Sequence, residues 1–339
     1  MSRPIASFLP RHLLKRPSSP KTTPTTVLLR RRQSTLSAAE AAQSMLSRFK
    51  DVKHTAEQTL DGNQLQKLSL TLNRRCLHPG LDISARTPPN NTVLPPGYHL
   101  VYFTSGGVEQ ELGPDGTDVT YNAPKPFTRR MWAGGRMKWE GELRVGDDVK
   151  ETTTLLSAIP KMSHDGKEMV LVEVRKEFEN QRGLVLVDER SWIFRPETNL
   201  TWFVAPEIIE GPSTVKDVSR REGYPKRELR WSPTGLFRFS ALTFNGHRIH
   251  YDQAWSTAVE GHPGCVVHGP INLVCMLDYW RDHCQPEGRV LKEISYRALA
   301  PIYAGETYDI SAGRIGDDKW EVLVRKQGKV CMRGEILAA

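Results

Sequence analysis

The sequence predicts an α+β chain made of two antiparallel sheets, each wrapping a central helix. Three observations predict it. A helical region followed by a run of β-type segments occurs twice along 339 residues. The second half holds one helical stretch that is apolar on nearly every side, and such a helix is buried. From Met137 onward, long alternating segments are separated by short turns, which is the pattern of antiparallel meanders. The length suits two domains of roughly 150 residues each. With 38% hydrophobic and 25% charged residues, the composition is that of a globular protein. No apolar run approaches the ~20 residues that a membrane helix needs, so a transmembrane span is not expected.

The elements follow in chain order. Ser37 can cap a helical run carrying Ala38, Ala41, Ala42, Met45 and Leu46, and a second helical pattern with Leu60, Leu65, Leu68 and Leu72 extends the helical region to residue 75. The Pro/Gly/Asn-rich stretch 78–97 reads as loop, 98–103 (YHLVYF) as a strand, and 104–127 as loop again. Three β-type runs then follow, MKWEGELRVGDDVKETTTLLSAI, KEMVLVEVRKEFEN and GLVLVDERSWIFR, with hairpin turns at 164–166 and 180–183. In the second run Val170, Val172 and Val174 share one face. The polar segment 205–231, with Gly211-Pro212, Gly223 and Pro225, is the expected domain boundary. Beyond it come a short helical stretch after His250, the loop 260–264 and the helix containing Ile271, Leu273, Val274, Cys275, Met276 and Leu277. Pro270 fits its first turn, where a missing N–H costs nothing. Three more β-type runs close the chain. A short helix buried in an antiparallel meander is a hot-dog arrangement, and two such halves make a double hot-dog.

Charge is distributed unevenly. The chain has 47 Lys+Arg and 39 Asp+Glu, a net charge of +8. Eight of the basic residues, Arg3, Arg11, Lys15, Arg16, Lys21, Arg30, Arg31 and Arg32, precede the first acid, Glu40. The remaining 39 bases meet all 39 acids, so the body is neutral. An acid-free, Ser/Thr-rich segment with apolar residues among arginines has the composition of a mitochondrial transit peptide. The expected organisation is a transit peptide over 1–35, a first half over 36–215 and a second half over 225–339, in the mitochondrial matrix. A neutral body argues against nucleic acid, because backbone binding needs a dense basic surface. The five cysteines are scattered, with no CxxC, which fits a reducing compartment.

The stretch FSALTFNGHRIHYD (239–252) and then EGHPGCVVHGP (260–270) is richest in chemistry. His247, His250, His262, His268 and Cys265 fall within 22 residues. The pairs His247/His250 and Cys265/His268 have a spacing that can share zinc, but their Gly-Pro flanks suit loops around a helix start, and no metal is expected. His262 and His283 read as architectural, capping elements. The remaining reading is acid/base work by these histidines.

FNGHRIHYD followed by HPGCVVHGP resembles the MaoC-like (R)-specific hydratase/dehydratase family. Laid on this chain, the family's hydratase motif puts its Asp on Asn245, its Asn on His247, its Pro on Arg248, its aliphatic residue on Ile249 and its His on His250. The glycine at the helix start falls on Gly269. RRMWAGGRMKW (129–139) with LPPGYHLVYF (94–103) resembles the non-catalytic N-terminal half of two-domain members. Those members include the fungal mitochondrial type 2 hydroxyacyl-thioester dehydratases and mesaconyl-CoA hydratases. The resemblance runs from about Leu94 to the end.

It implies a hydro-lyase interconverting 3-hydroxyacyl and trans-2-enoyl thioesters in mitochondrial fatty acid synthesis. His250 and Asn245 are the implied catalytic pair, and Gly269, Pro270 and His268 the oxyanion and substrate-binding residues. A near-neutral histidine can act as base and then acid, and a helix-start N–H can meet the charge growing on the thioester oxygen. Asn cannot take a proton, so His250 becomes the lone base, with His247 the alternative second titrating group. The implied partners are acyl carrier protein or CoA thioesters, with a homodimer as the assembly considered. Arg129, Arg130 and Arg136 could form a basic patch for the carrier or for CoA phosphates. No cofactor is implied, since there is neither a GxGxxG after a strand nor a P-loop. Two other readings remain: a hydratase of short dicarboxylic or branched acyl-CoA, and a non-catalytic acyl-binding or RNA-associated mitochondrial protein.

Overall fold

The computed structural model describes residues 36–197 and 208–339. The segment 1–35, expected to be a transit peptide, lies outside the described residues, as does the start of the expected boundary at 205–207.

In chain order the elements are α1 (Ala38–Arg48), β1 (Lys53–Thr59), α2 (Gly62–Thr71), β2 (Cys76–His78), β3 (Leu81–Asp82), β4 (Arg129–Trp139), β5 (Asp148–Met162), β6 (Glu168–Asn180) and β7 (Gly183–Arg195). Then come β8 (Thr214–Val218), β9 (Lys226–Arg230), α3 (Pro233–Leu242), α4 (Gln253–Ala258), α5 (Gly269–His283), β10 (Leu291–Ala298), β11 (Thr307–Gly316), β12 (Lys319–Lys326) and β13 (Lys329–Ala338).

Eleven strands form one antiparallel sheet in the order β1-β5-β6-β7-β4-β10-β13-β12-β11-β9-β8. The two expected sheets meet edge to edge: Gly134–Lys138 of β4 pairs with Arg297–Glu293 of β10. Joining the edges leaves neither exposed for aggregation. The fold is α+β, a double hot-dog.

α5 is the central helix. Every residue from Ile271 to Trp280 is buried, and β11 and β12 pack against it. Two of its buried polar side chains are held from outside the helix. Tyr98 donates to Asp278 at 2.9 Å, and Tyr308 donates to Asn272. Buried polar groups without such partners would cost about 1–3 kcal/mol each.

At the N-terminal end, Ser37 caps α1 and Glu40 reaches back to the Ser37 N–H at 2.8 Å, a capping box. The apolar face of α1 covers β5 and β6, where Val170, Val172 and Val174 alternate inward. α2 lies against α3, so Leu65 and Leu68 join the core around α5.

Three segments depart from the sequence reading. The helical region 37–75 is interrupted by β1, whose residues KHTAEQT are almost all exposed. It is held by backbone pairing to β5 and has no apolar period to announce it. YHLVYF is not a strand but a 3₁₀ turn over Tyr98–Val101. Its side chains are buried on all sides and anchored by their polar tips: Tyr98 to Asp278, His99 to Asp188 at 3.2 Å and Tyr102 to the Asp61 carbonyl. Such anchoring replaces a neighbouring strand. The polar stretch before Trp231 holds β8 and β9, which extend the sheet beside β11.

Leu273 is fully buried in α5. Leu273→Ala should lower unfolding free energy by about 2–5 kcal/mol. Leu46→Ala on the exposed face of α1 should change it by less than about 0.5 kcal/mol. Chemical denaturation of the two variants checks this.

Candidate active site

The residues singled out from sequence come together in one cleft of about 1410 Å³, lined by Asn245, His247, His250, His262, His268, Gly269 and Pro270. Local structure explains how. α3 ends at Leu242, and the chain turns sharply with Phe244 at φ 48°. The Asn245 side-chain oxygen then accepts the His247 N–H at 3.1 Å, closing an Asx turn. A 3₁₀ turn, Arg248–His250, follows and delivers His250 into the cleft. Asn245 therefore turns its oxygen to the backbone, and its amide NH₂ is free to donate to a ligand.

The His250 Nδ1 lies 2.8 Å from the Val266 carbonyl. A carbonyl only accepts, so Nδ1 carries the hydrogen and Nε2 is left as a free lone pair. Burial pushes the His250 imidazole down to about 4; the Val266 carbonyl opposes that, and His262 and Arg130 add to it. His250 is thus neutral at physiological pH. Its ring stacks on His268 with centroids 3.6 Å apart. His268, the residue before α5, contacts Ser240 Oγ at 2.9 Å through Nε2, while its buried Nδ1 has no partner. Burial, followed by the neighbouring His250 and His247, keeps it neutral too. His262 is pushed down to about 4 by burial and by Arg129. Cys265 is buried, and burial with Asp252 nearby raises its thiol to about 11, so it is no nucleophile. All five cysteines are free. Among the described residues no three His, Cys, Asp or Glu groups converge on a metal position.

Gly269 begins α5, and its N–H lies outside the intrahelical ladder. Pro270 sits one residue later. The glycine is required for a reason the sequence hid. A Cβ at 269 would come within 2.8 Å of Trp132, whose ring packs over that position. Trp132 belongs to β4, so the helix start is sealed against the joined edge of the sheet.

Two site residues were missed from sequence. Asp115, in the loop 104–127, is buried with its Oδ2 3.7 Å from His247 Nε2. Arg130 was expected to join a basic patch with Arg129 and Arg136. Instead, strand alternation parts the first two, and a register shift between Trp132 and Gly134 resets the alternation before Arg136. Arg129 pairs with Glu260 at 2.6 Å and Arg136 with Glu293 at 2.6 Å. Arg130 lines the cleft, donating to the Asp118 carbonyl at 3.0 Å and to Asn122 at 3.4 Å. Burial pushes its pKa below the usual arginine value, against the pull of Asp118 and Asp115. No carboxylate forms an ion pair with it among the described residues. Two-residue alternation was the one available signal for Arg130; nothing local marked Asp115.

Comparison with known proteins now adds to the geometry. A family profile described as hydroxyacyl-thioester dehydratase type 2 matches residues 97–304. The chain is 31% identical over 240 residues to mesaconyl-C(4)-CoA hydratase of Chloroflexus aurantiacus, covering 70% of this chain and 81% of that protein. It is 26% identical over 253 residues to the mitochondrial hydroxyacyl-thioester dehydratase type 2 of Schizosaccharomyces pombe, covering 67% of this chain and 80% of the relative. Among solved structures, a MaoC-like dehydratase from Phytophthora capsici superposes with a TM-score of 0.62 at 17% identity, over 86% of this chain and 96% of the other. HtdX of Mycobacterium tuberculosis gives 0.53 at 13%, over 84% and 99%. These two share the fold.

The buried histidines make folding pH-dependent. In the folded chain they protonate below their ordinary value near 6.5, so on acidification the unfolded chain binds protons first. Their contribution is therefore intact above about pH 6.5 and lost as pH falls toward the value of about 4 set by His250 and His262. Denaturant midpoints measured from pH 7 down to 4 should decline, and replacing His262 with Gln should make the decline shallower.

Proposed function

The chain belongs to the hydroxyacyl-thioester dehydratase type 2 family and is a hydro-lyase, and from that premise we propose that it interconverts (R)-3-hydroxyacyl and trans-2-enoyl thioesters as the dehydratase of mitochondrial fatty acid synthesis. One observation carries the reading: a neutral His250 with a free Nε2 shares a cleft with the start of α5. In dehydration, His250 Nε2 takes the C2 proton while the thioester oxygen gains charge. The Gly269 N–H, at the positive end of α5, stabilises that charge. The hydroxyl then leaves C3 with its bonding pair and receives the proton back from His250, a syn elimination. Asn245 acts through its amide NH₂ on the departing oxygen. His268 backs the His250 ring, and Pro270 shapes the wall beside Gly269. The non-catalytic reading falls away with family membership.

The catalytic machinery is assigned to the half 225–339, and 36–215 is its non-catalytic companion, supplying Trp132 and Arg130 to the cleft. A phosphopantetheine arm, on acyl carrier protein or CoA, presents the acyl chain, and the enzyme works in the matrix, as a homodimer. Two facts support the address: no acid precedes Glu40, and the fission-yeast relative is mitochondrial by name. No helix among the described residues is long and apolar enough to cross a membrane.

A second reading has its own observation. Arg130 is a half-buried cation in the cleft with no ion-paired carboxylate among the described residues. Asp118 and Asp115 offset that charge only in part, since its pKa still falls below the usual arginine value, and an acyl group bearing a carboxylate would pair with it directly. The Chloroflexus relative is named for a substrate of that kind.

Loss of enoyl absorbance with crotonyl, longer-chain and carboxylated trans-2-enoyl thioesters tests both. Turnover is expected, and His250→Ala should reduce kcat/KM by about 10²–10⁴-fold; a wild-type rate in that variant removes His250 from the mechanism. If the acyl group carries a carboxylate, Arg130→Gln should raise KM for the carboxylated thioester about tenfold or more and leave crotonyl thioester little changed. Equal effects on both would dismiss the second reading.

A further inference from the structure

The loop 104–127 contains no regular strand or long helix, yet it docks on the histidine motif by backbone contact. Gly116, at φ +79°, lies so close to Gly246 that a Cβ on it would fall 2.1 Å from the Gly246 oxygen, and the reverse substitution would give 2.6 Å. The Asp115 carbonyl accepts the Arg248 N–H at 2.9 Å. Asp115 Oδ1 is held by the Thr117 N–H at 3.0 Å and by its hydroxyl at 2.8 Å. That leaves Oδ2 turned to His247 Nε2 at 3.7 Å. Two glycine backbones and three hydrogen bonds thus aim one carboxylate at one imidazole, from a segment about 130 residues away in the chain.

We propose that Asp115 positions His247 as the acceptor that holds the reacting oxygen of substrate. This rests on the reading that the cleft interconverts hydroxyacyl and enoyl thioesters. A carboxylate accepts only, so the His247 Nε2 carries the hydrogen and Nδ1 is left as a lone pair. At 3.7 Å the pair is beyond hydrogen-bond length, and the role proposed for it requires it to shorten in the substrate complex, as catalytic bonds commonly do. In the hydration direction water brings two hydrogens. One goes through His250 Nε2 to C2 as the oxygen bonds to C3. The other stays on oxygen and needs an acceptor to orient it. The Asn245 oxygen already accepts the His247 N–H, whereas His247 lines the cleft with its ring edge to face against His250, centroids 5.4 Å apart. His247 neither gains nor loses a proton over the cycle; His250 carries the one that moves. The bonds balance: O–H and the C2=C3 π bond break, C3–O and C2–H form.

The test uses the full chain. Hydration of a trans-2-enoyl thioester is followed for wild type, Asp115→Asn, Asp115→Glu and His247→Gln. Ring-nitrogen NMR of histidine-labelled protein is recorded alongside, with His247→Gln assigning the signal. The expected results are an Nε2–H tautomer at His247 in wild type, and kcat lowered about ten- to hundredfold in Asp115→Asn and His247→Gln with KM within about threefold. Asp115→Glu should recover part of the loss. A merely structural role would not produce the tautomer or that recovery. An Nδ1–H tautomer in wild type, or kcat within about twofold in both deleted variants, overturns the proposal while leaving the overall function in place. If wild type turns over no enoyl thioester, the function falls and this role with it. Should Asp115→Asn fail to fold, His247→Gln and the wild-type tautomer decide.

Discussion

A helix without a polar face has to be covered on every side, and that requirement organises this molecule. α5 carries ten consecutive buried residues. A flat sheet covers one side of such a helix; only a sheet that curls around it, with loops and other helices over the remainder, covers all of it. β11 and β12 pack on α5, Tyr98 reaches it from the turn before the meander, and α2 and α3 join the same core. Burying this much apolar surface is the main favourable term in such a fold, at about 25 cal/mol per Å². The helix start is the part of α5 that lines the histidine cleft.

The same burial sets the chemistry. His250, His268 and His247 sit beside the helix start, among apolar walls that keep imidazole neutral. Neutrality is what makes His250 useful, because its Nδ1–H is committed to Val266 and its Nε2 is left as a lone pair. A solvent-exposed histidine would be partly protonated near neutrality and would present no fixed tautomer. The price is an acid-sensitive fold. Trp132, lying over Gly269, closes the helix start from the N-terminal half, so the cleft is built from both halves of the joined sheet.

Much of this was legible in the sequence because it is periodic or local. The apolar run after Pro270, the valine alternation in β6, the Ser37 cap and the hairpin turns are all consequences of neighbours within a few residues. The cluster of His247, His250 and His268 could be found the same way, since a short turn and a helix start hold it. Where a segment lacks a period, the reading failed: β1 has almost no buried side chain, and YHLVYF is apolar without alternating.

The sequence by itself determined the class of fold, the buried helix and the histidines near its start, because periodicity and turn chemistry are written in adjacent residues. Only the tertiary structure decided that the two sheets join through β4 and β10, that Arg130 turns into the cleft, and that Asp115 faces His247. These depend on which strand edges meet and on a close approach of two glycine backbones. Both are contacts between distant segments, and no local pattern encodes which distant segment will arrive.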